Sequence, residues 1–169
     1  ECDSRLRYYR NMNAKCKEDN FRPFEHIAKG EYLQWCMDDD ILHKDKLSMM
    51  VSVMMLNPHI TLTSSQRGFI DENDNFIEPM RETLIRDDII GRGYKGNAIG
   101  NYMLKEISNL IGEPSAALFR RSDLAHHYWQ ADCRGYRTIS DVVMWLELLE
   151  KGDLFLFKEP LSYYRCHSQ

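Results

Sequence analysis

Three consecutive aspartates, Asp38, Asp39 and Asp40, follow directly on the apolar stretch Glu31 to Met37 and stand just before a helix that the spacing predicts from Asp45. Adjacent carboxylates repel one another, so a fold that gathers three at a strand end either holds a hard cation there or gives up stability for another reason. A purely local reading is open as well: one of them can cap the following helix, where the dipole favours negative charge. One or two carboxylates are too few for an all-protein calcium cage. They are what magnesium or manganese uses when a substrate diphosphate completes its shell.

Around the triplet, periodicity and punctuation predict alternating helices and strands, with no internal repeat and no low-complexity tract. Residues 23–29 read as a short helix with Pro23 at its first position and Gly30 after its end, and residues 31–37 as a strand rich in Tyr, Leu and Trp. The helix from Asp45 turns Leu47, Met50, Val51 and Met54 inward and stops at Asn57-Pro58. Its methionines read as core packing. A strand over 60–64 and a turn over 71–75 follow. Residues 88–100 hold Gly91, Gly93, Gly96 and Gly100 without a G-x-G-x-x-G, and read as a mobile loop. Next come a helix over 98–111, with Ile99, Leu104, Ile107 and Ile111 on one face, and an apolar strand over 115–120. A last helix opens at Ser140-Asp141, buries Val142, Trp145, Leu146 and Leu149, and ends at Gly152. Stretches 154–157 and 161–164 read as closing strands before Arg165-Cys166-His167. The pattern is that of one layered α/β or α+β domain over residues 1–169, with no linker to divide it.

Composition narrows the function classes. With 43% hydrophobic and 28% charged residues, the 169-residue chain has enough apolar side chain for one core without a disulfide or metal staple, which excludes a disordered polymer. A net charge of −4 argues against binding nucleic acid through bulk charge, so a polyanionic ligand must be held locally. Cys2, Cys16, Cys36, Cys133 and Cys166 are scattered singly and odd in number, which suits a reducing, cytoplasmic setting. The most apolar run, Leu47 to Leu56, is about half of the ~20 residues a spanning helix needs, and Asp3, Arg5, Arg7 and Arg10 interrupt any signal-peptide grammar. A chain opening at Glu1 is expected to be a portion of something longer.

Three ordered blocks resemble the family 2 glycosyltransferases, inverting enzymes of the nucleotide-diphospho-sugar transferase (GT-A type) fold. The run GEYLQWCMDDDILHKDKLSMMVSVMMLNPHITLTSS is similar to their strand, acidic motif and Lys-Leu helix. GEPSAALFRRSDL is similar to the strand after the central sheet, and TISDVVMWLELLEKGDLFLFKEPLSYYR to the segment with the catalytic carboxylate. The likeness runs from about Asp3 to the end. It implies a three-layer, GT-A-like mixed sheet flanked by helices, from which the first, nucleobase-binding strands are missing.

Carried over residue by residue, the resemblance implies that Asp38 and Asp39 meet the ribose and the metal, with Asp40 an additional acidic neighbour and Asp39 the first choice for the ion. Asp141 matches the general base. Many members have Glu-Asp where this chain has Ser140-Asp141, a pair that is also a good helix cap. Arg165 and His167, in Tyr-Arg-Cys-His, match the closing segment near the diphosphate, where a guanidinium suits phosphate oxygens. Glu113 matches the acceptor side. His126 and His127 read as surface residues, since adjacent side chains on a regular element point apart, and Tyr128 and Trp129 as packing.

The implied activity is transfer of a sugar from a nucleotide-diphospho-sugar, of the UDP or dTDP type, to a hydroxyl of a saccharide or lipid-linked acceptor. Mn2+ or Mg2+ is the implied cofactor, and cell-surface polysaccharide or glycan assembly the implied setting. The implied location is cytoplasmic, at the inner face of the membrane in the case of peripheral association, and the open sheet edges favour pairing with a second copy, as a homodimer, or with another chain. A carbohydrate-binding or protein-interaction module that kept the fold without catalysis is the alternative. Phosphoryl or nucleotidyl transfer is disfavoured, because no P-loop is present.

Overall fold

The structure, a computed structural model, describes residues 3–14, 17–78, 92–124 and 139–167. The first element is helix α1, Lys17–Ile27, with Pro23 inside it rather than at its start. Proline has no N–H for the carbonyl four residues back. Here that carbonyl, Asp19 O, accepts Asn11 Nδ2 at 2.7 Å instead, so a distant side chain makes the interior proline tolerable.

Strands β1 (Tyr32–Leu33) and β2 (Ile41–Leu42) flank the aspartates, and helix α2 (Lys46–Leu56) follows them. Met50 and Met54 are buried as expected, whereas Leu47 points largely to solvent. Strand β3 (Ile60–Ile70) is more than twice the predicted length. Its first half is buried on both faces, so Thr61, Thr63, Ser64 and Ser65 do not alternate with apolar neighbours. Their hydroxyls are satisfied internally: Thr61 Oγ1 donates to Leu148 O at 2.7 Å and Ser64 Oγ to Ile111 O at 2.6 Å.

After β4 (Arg92–Tyr94) comes helix α3 (Gly96–Glu106), which ends well before the predicted residue 111. Ile107 adopts the left-handed conformation (φ 50°) and turns the chain so that Leu110 and Ile111 enter the core while Leu104 and Ile107 stay exposed. A 3₁₀ turn, Pro114–Ala116, leads into β5 (Leu118–Arg120). Helix α4 (Ser140–Lys151) has Ile139 at its N-cap and runs into β6 (Asp153–Arg165), a single strand where the sequence suggests two. The interruption at Lys158–Glu159 is a bulge: Ser65 pairs with Phe157 and the next residue, Gln66, with Pro160.

The six strands form one mixed sheet in the order β1-β5-β3-β6-β2. The long strands β3 and β6 run parallel at its centre, with β5 antiparallel to β3 and β1 antiparallel to β5. Both β4 and β2 pair with the far edge of β6, at Leu154–Leu156 and at Ser162–Tyr163 respectively, which the bulge between these stretches allows. Successive residues of β5 face opposite ways. Phe119 packs with Trp145, Leu149 and Met103 of α3 and α4, and Leu118 with Met50 and Met54 of α2. The sheet is therefore mixed, curled and flanked by helices. Among the described residues no helix is long and apolar enough to cross a membrane.

The start of α3 shows how closely the helical layer packs. A Cβ on Gly96 would lie 1.9 Å from Gly152 O, so only glycine lets α3 approach the end of α4. The cap comes from another element: Asp153 Oδ1 accepts Gly96 N at 3.2 Å while Oδ2 accepts Lys95 Nζ at 2.8 Å. Asp153→Ala is expected to cost about 1 kcal/mol, the usual worth of a cap, and to lower the melting temperature by about 3 °C. Calorimetry that found no loss would contradict that capping role.

Candidate functional site

The topology directs one end of the sheet toward a common cleft. The parallel strands β3 and β6 end there, β1 leads there into Asp38, and β5 begins from it after the turn Gly112–Ala116. This is the carboxyl end of the parallel pair, the usual ligand edge of open α/β sheets.

Asp39, Asp40, Glu113, Arg165 and His167 come together at this end. His167 Nε2 lies 3.0 Å from Asp39 Oδ2, and Arg165 Nε donates to Asp39 O at 2.9 Å. The hydrogen bond to His167 holds the Asp39 carboxyl below the ordinary aspartate range, against a smaller opposing effect of burial. Asp40 behaves in the opposite way. Burial pushes its carboxyl up, the charges of Asp39 and Glu113 add to that, and the hydroxyl of Ser115 only partly compensates. Its Oδ1 is buried with no hydrogen-bond partner among the described residues. Two neighbouring aspartates thus have environments that move their titrations apart.

Arg165 orders the tail. Its Nη1 donates to Asp71 O at 2.8 Å and its Nη2 meets Asp74 Oδ1 at 2.6 Å, so one guanidinium ties β6 to the acidic loop and to the turn after β3. That turn forms as predicted, with Asp71 N donating to Asn75 O at 2.9 Å. Glu113 pairs with Arg67 of β3. Two residues on, Ser115 Oγ accepts Met37 N at 3.0 Å and so clamps the chain just before the triplet. Asp38 faces outward on the rim of a cavity of about 520 Å3 that Tyr8, Tyr9, Arg10 and Asn20 also line.

Asp141 lies in the first turn of α4 and adjoins this cluster through a loop: Asn109 Nδ2 donates to Asp141 Oδ2 at 3.3 Å and to Gly112 O at 3.1 Å. Glu113 is the next residue along. His126, His127, Tyr128 and Trp129 lie outside the described residues.

Sequence reasoning missed Asn109, Arg67 and Tyr164. Burial raises the Tyr164 hydroxyl, and the charges of Glu113, Asp39 and Asp40 add to that, which marks it as a neighbour of the cluster. No local signal identifies the pairing of Arg67 with Glu113, 46 positions away, or the contact of Asn109 with Asp141, 32 positions away.

Among the described residues no three or more His, Cys, Asp or Glu side chains form a ready metal cage. The local donors are nonetheless hard oxygens, one on an ionised Asp39 and one, Asp40 Oδ1, buried without a partner among the described residues. That set fits a cation that draws most of its shell from water and a diphosphate. No protein-family model matches the chain, and no curated protein matches it.

Proposed function

We propose that this chain is a metal-dependent, inverting glycosyltransferase domain of GT-A-like fold that moves a sugar from a nucleotide-diphospho-sugar to an acceptor hydroxyl. One observation carries the reading: Asp39 and Asp40, Glu113, the Arg165–His167 tail and, through Asn109, Asp141 converge on one end of a mixed sheet, although they are spread over more than a hundred residues of sequence. The three-block resemblance supports the same assignment.

In this reading Asp141 takes the proton of the acceptor hydroxyl as the new bond forms at the anomeric carbon. The bond from that carbon to the diphosphate oxygen breaks on the opposite face, and the electron pair leaves with the nucleoside diphosphate. Asp39 and Asp40 would hold the divalent cation, manganese or magnesium, which when bound supplies positive charge beside the leaving group. The cavity at Asp38 offers the rings of Tyr8 and Tyr9 and the Arg10 cation to a nucleoside. The Arg165 guanidinium adds positive charge at the diphosphate end, and His167 stands there beside Asp39. Glu113, which pairs with Arg67, is assigned to the acceptor side.

Titration calorimetry of the complete protein with UDP and dTDP, in Mn2+ and in chelator, tests the reading. Binding is expected in Mn2+ only, and Asp39→Ala should weaken it at least about tenfold, or 1.4 kcal/mol. Equal affinity in chelator, or in the variant, would show that the acidic motif does not serve a cation.

A further inference from the structure

We propose that Asn109 is the positioning residue for Asp141, fixing the direction of its carboxylate, and that the same loop sets that carboxylate relative to Glu113. The catalytic part of this inference rests on the reading of Asp141 as the proton acceptor; the contact itself does not.

Asn109 follows the left-handed Ile107 that ends α3. Its Oδ1 accepts Ile111 N at 3.2 Å and Gly112 N at 3.0 Å, and its Nδ2 donates to Gly112 O at 3.1 Å and to Asp141 Oδ2 at 3.3 Å. A primary amide has two donors and two acceptor lone pairs, so every hydrogen-bonding position of this side chain is used. The arrangement also decides which way the amide faces. Two backbone N–H groups can be met only by the oxygen, which leaves the nitrogen toward Asp141.

The loop that holds Asn109 is itself fixed. Gly112 has φ 95°, a conformation that favours glycine, and a Cβ there would press on Arg67 and Ala116 at 3.2 to 3.3 Å. Its carbonyl accepts a second bond, from Trp145 Nε1 at 3.1 Å, and Trp145 is fully buried. Trp145 stands one helical turn after Asp141. Helix α4 is thus bolted to residues 109–112 at two levels, its side chain Asp141 through Asn109 and its body through Trp145. Glu113 follows directly and is held by Arg67, so the two carboxylates assigned to the acceptor share one rigid support. A proton acceptor works only within hydrogen-bond reach of its proton, and small misplacements there are costly.

Asn109→Asp keeps the shape and the acceptor for both backbone N–H groups and replaces the donor toward Asp141, and toward Gly112 O, by a carboxylate oxygen. Two readouts are expected to move. The Asp141 carboxyl titration, followed by NMR of 13C-labelled aspartate with Asp141→Asn to identify its signal, should rise by about one unit because a like charge now faces it. The kcat for sugar transfer should fall about tenfold or more while the donor KM stays within about twofold. An unchanged Asp141 titration in the variant would overturn the proposal whatever the activity. Should Asn109→Asp not fold, Asn109→Ser can still meet the Gly112 N–H without reaching Asp141; a lower kcat at unchanged KM supports the proposal and a wild-type kcat overturns it. Normal turnover by Asp141→Asn would instead sink the proton-acceptor reading, and the titration arm would still judge the contact.

Discussion

Asp141→Asn is expected to cut sugar transfer by about 10²-fold or more, the usual contribution of a positioned general base. An acceptor hydroxyl is a weak nucleophile, and an amide cannot accept its proton at neutral pH. The substitution is otherwise mild. The amide oxygen of the variant can still accept the Asn109 Nδ2 hydrogen bond, seen at 3.3 Å for the carboxylate, and the helix that carries it is anchored independently by Trp145. Thermal unfolding should therefore change little, and the affinity for UDP or dTDP in Mn2+ should stay within about twofold, because ground-state nucleotide binding does not use the proton acceptor. The contrast with Asp39→Ala makes the test decisive. One variant should lose turnover and keep nucleotide, and the other should lose nucleotide first. Near-normal transfer by Asp141→Asn would leave Asp141 with the helix-terminal role that its Ser-Asp context also suits.

Much of the fold is readable in the chain because local grammar and tertiary structure agree there. Helix α2 has its start and its Asn57-Pro58 stop where the sequence puts them, α4 ends at Gly152, and the Asp71–Asn75 turn closes on its own side-chain and backbone bonds. Most of the failures share a cause: each depends on a partner outside the element itself. Pro23 reads as a helix start until Asn11 fills the carbonyl it leaves open. The serines and threonines of β3 blur the strand signal until carbonyls of α4, of the 111 loop and of β5 take their hydroxyls. The bulge in β6 splits one strand into two apparent ones. The site follows the same division. Its acidic residues stand out by type and adjacency, whereas Asn109 and Arg67 are ordinary polar residues whose meaning comes only from what they touch. Lys46 is the clearest case of all, since a lysine at a helix start reads as surface and yet is fully buried.

That burial produces the second large expected effect. Lys46 Nζ donates to Ala116 O at 2.8 Å, inside the packing of α2 against the sheet. Desolvation pulls its amine down to about 7, with the nearby Cys36 only partly opposing. In the unfolded chain the same amine titrates near 10.4. Between those two values the unfolded state holds one more proton than the folded one, so unfolding free energy must rise with pH, by up to about 1.4 kcal/mol per unit. Below pH 7 both states are charged and the cost of burying the ammonium is present in full. Cys36 acts the other way at higher pH: burial raises its thiol, so above about 8.5 the unfolded chain releases a proton that the folded one keeps. The clean window is therefore pH 7 to 8.5, read as the difference between wild type and Lys46→Met, which keeps the length and removes the charge. Urea unfolding should show the variant more stable than wild type at pH 6.5, even after about 1 kcal/mol for the donor lost to Ala116 O, and the gap should close as pH rises. A gap that stays constant across the window would mean that the amine is solvated enough to keep its ordinary titration. The hydrogen bond concerned holds the same 114–116 turn that presents Glu113 and Ser115, so the stability of the core and the order of the candidate site should vary together with pH.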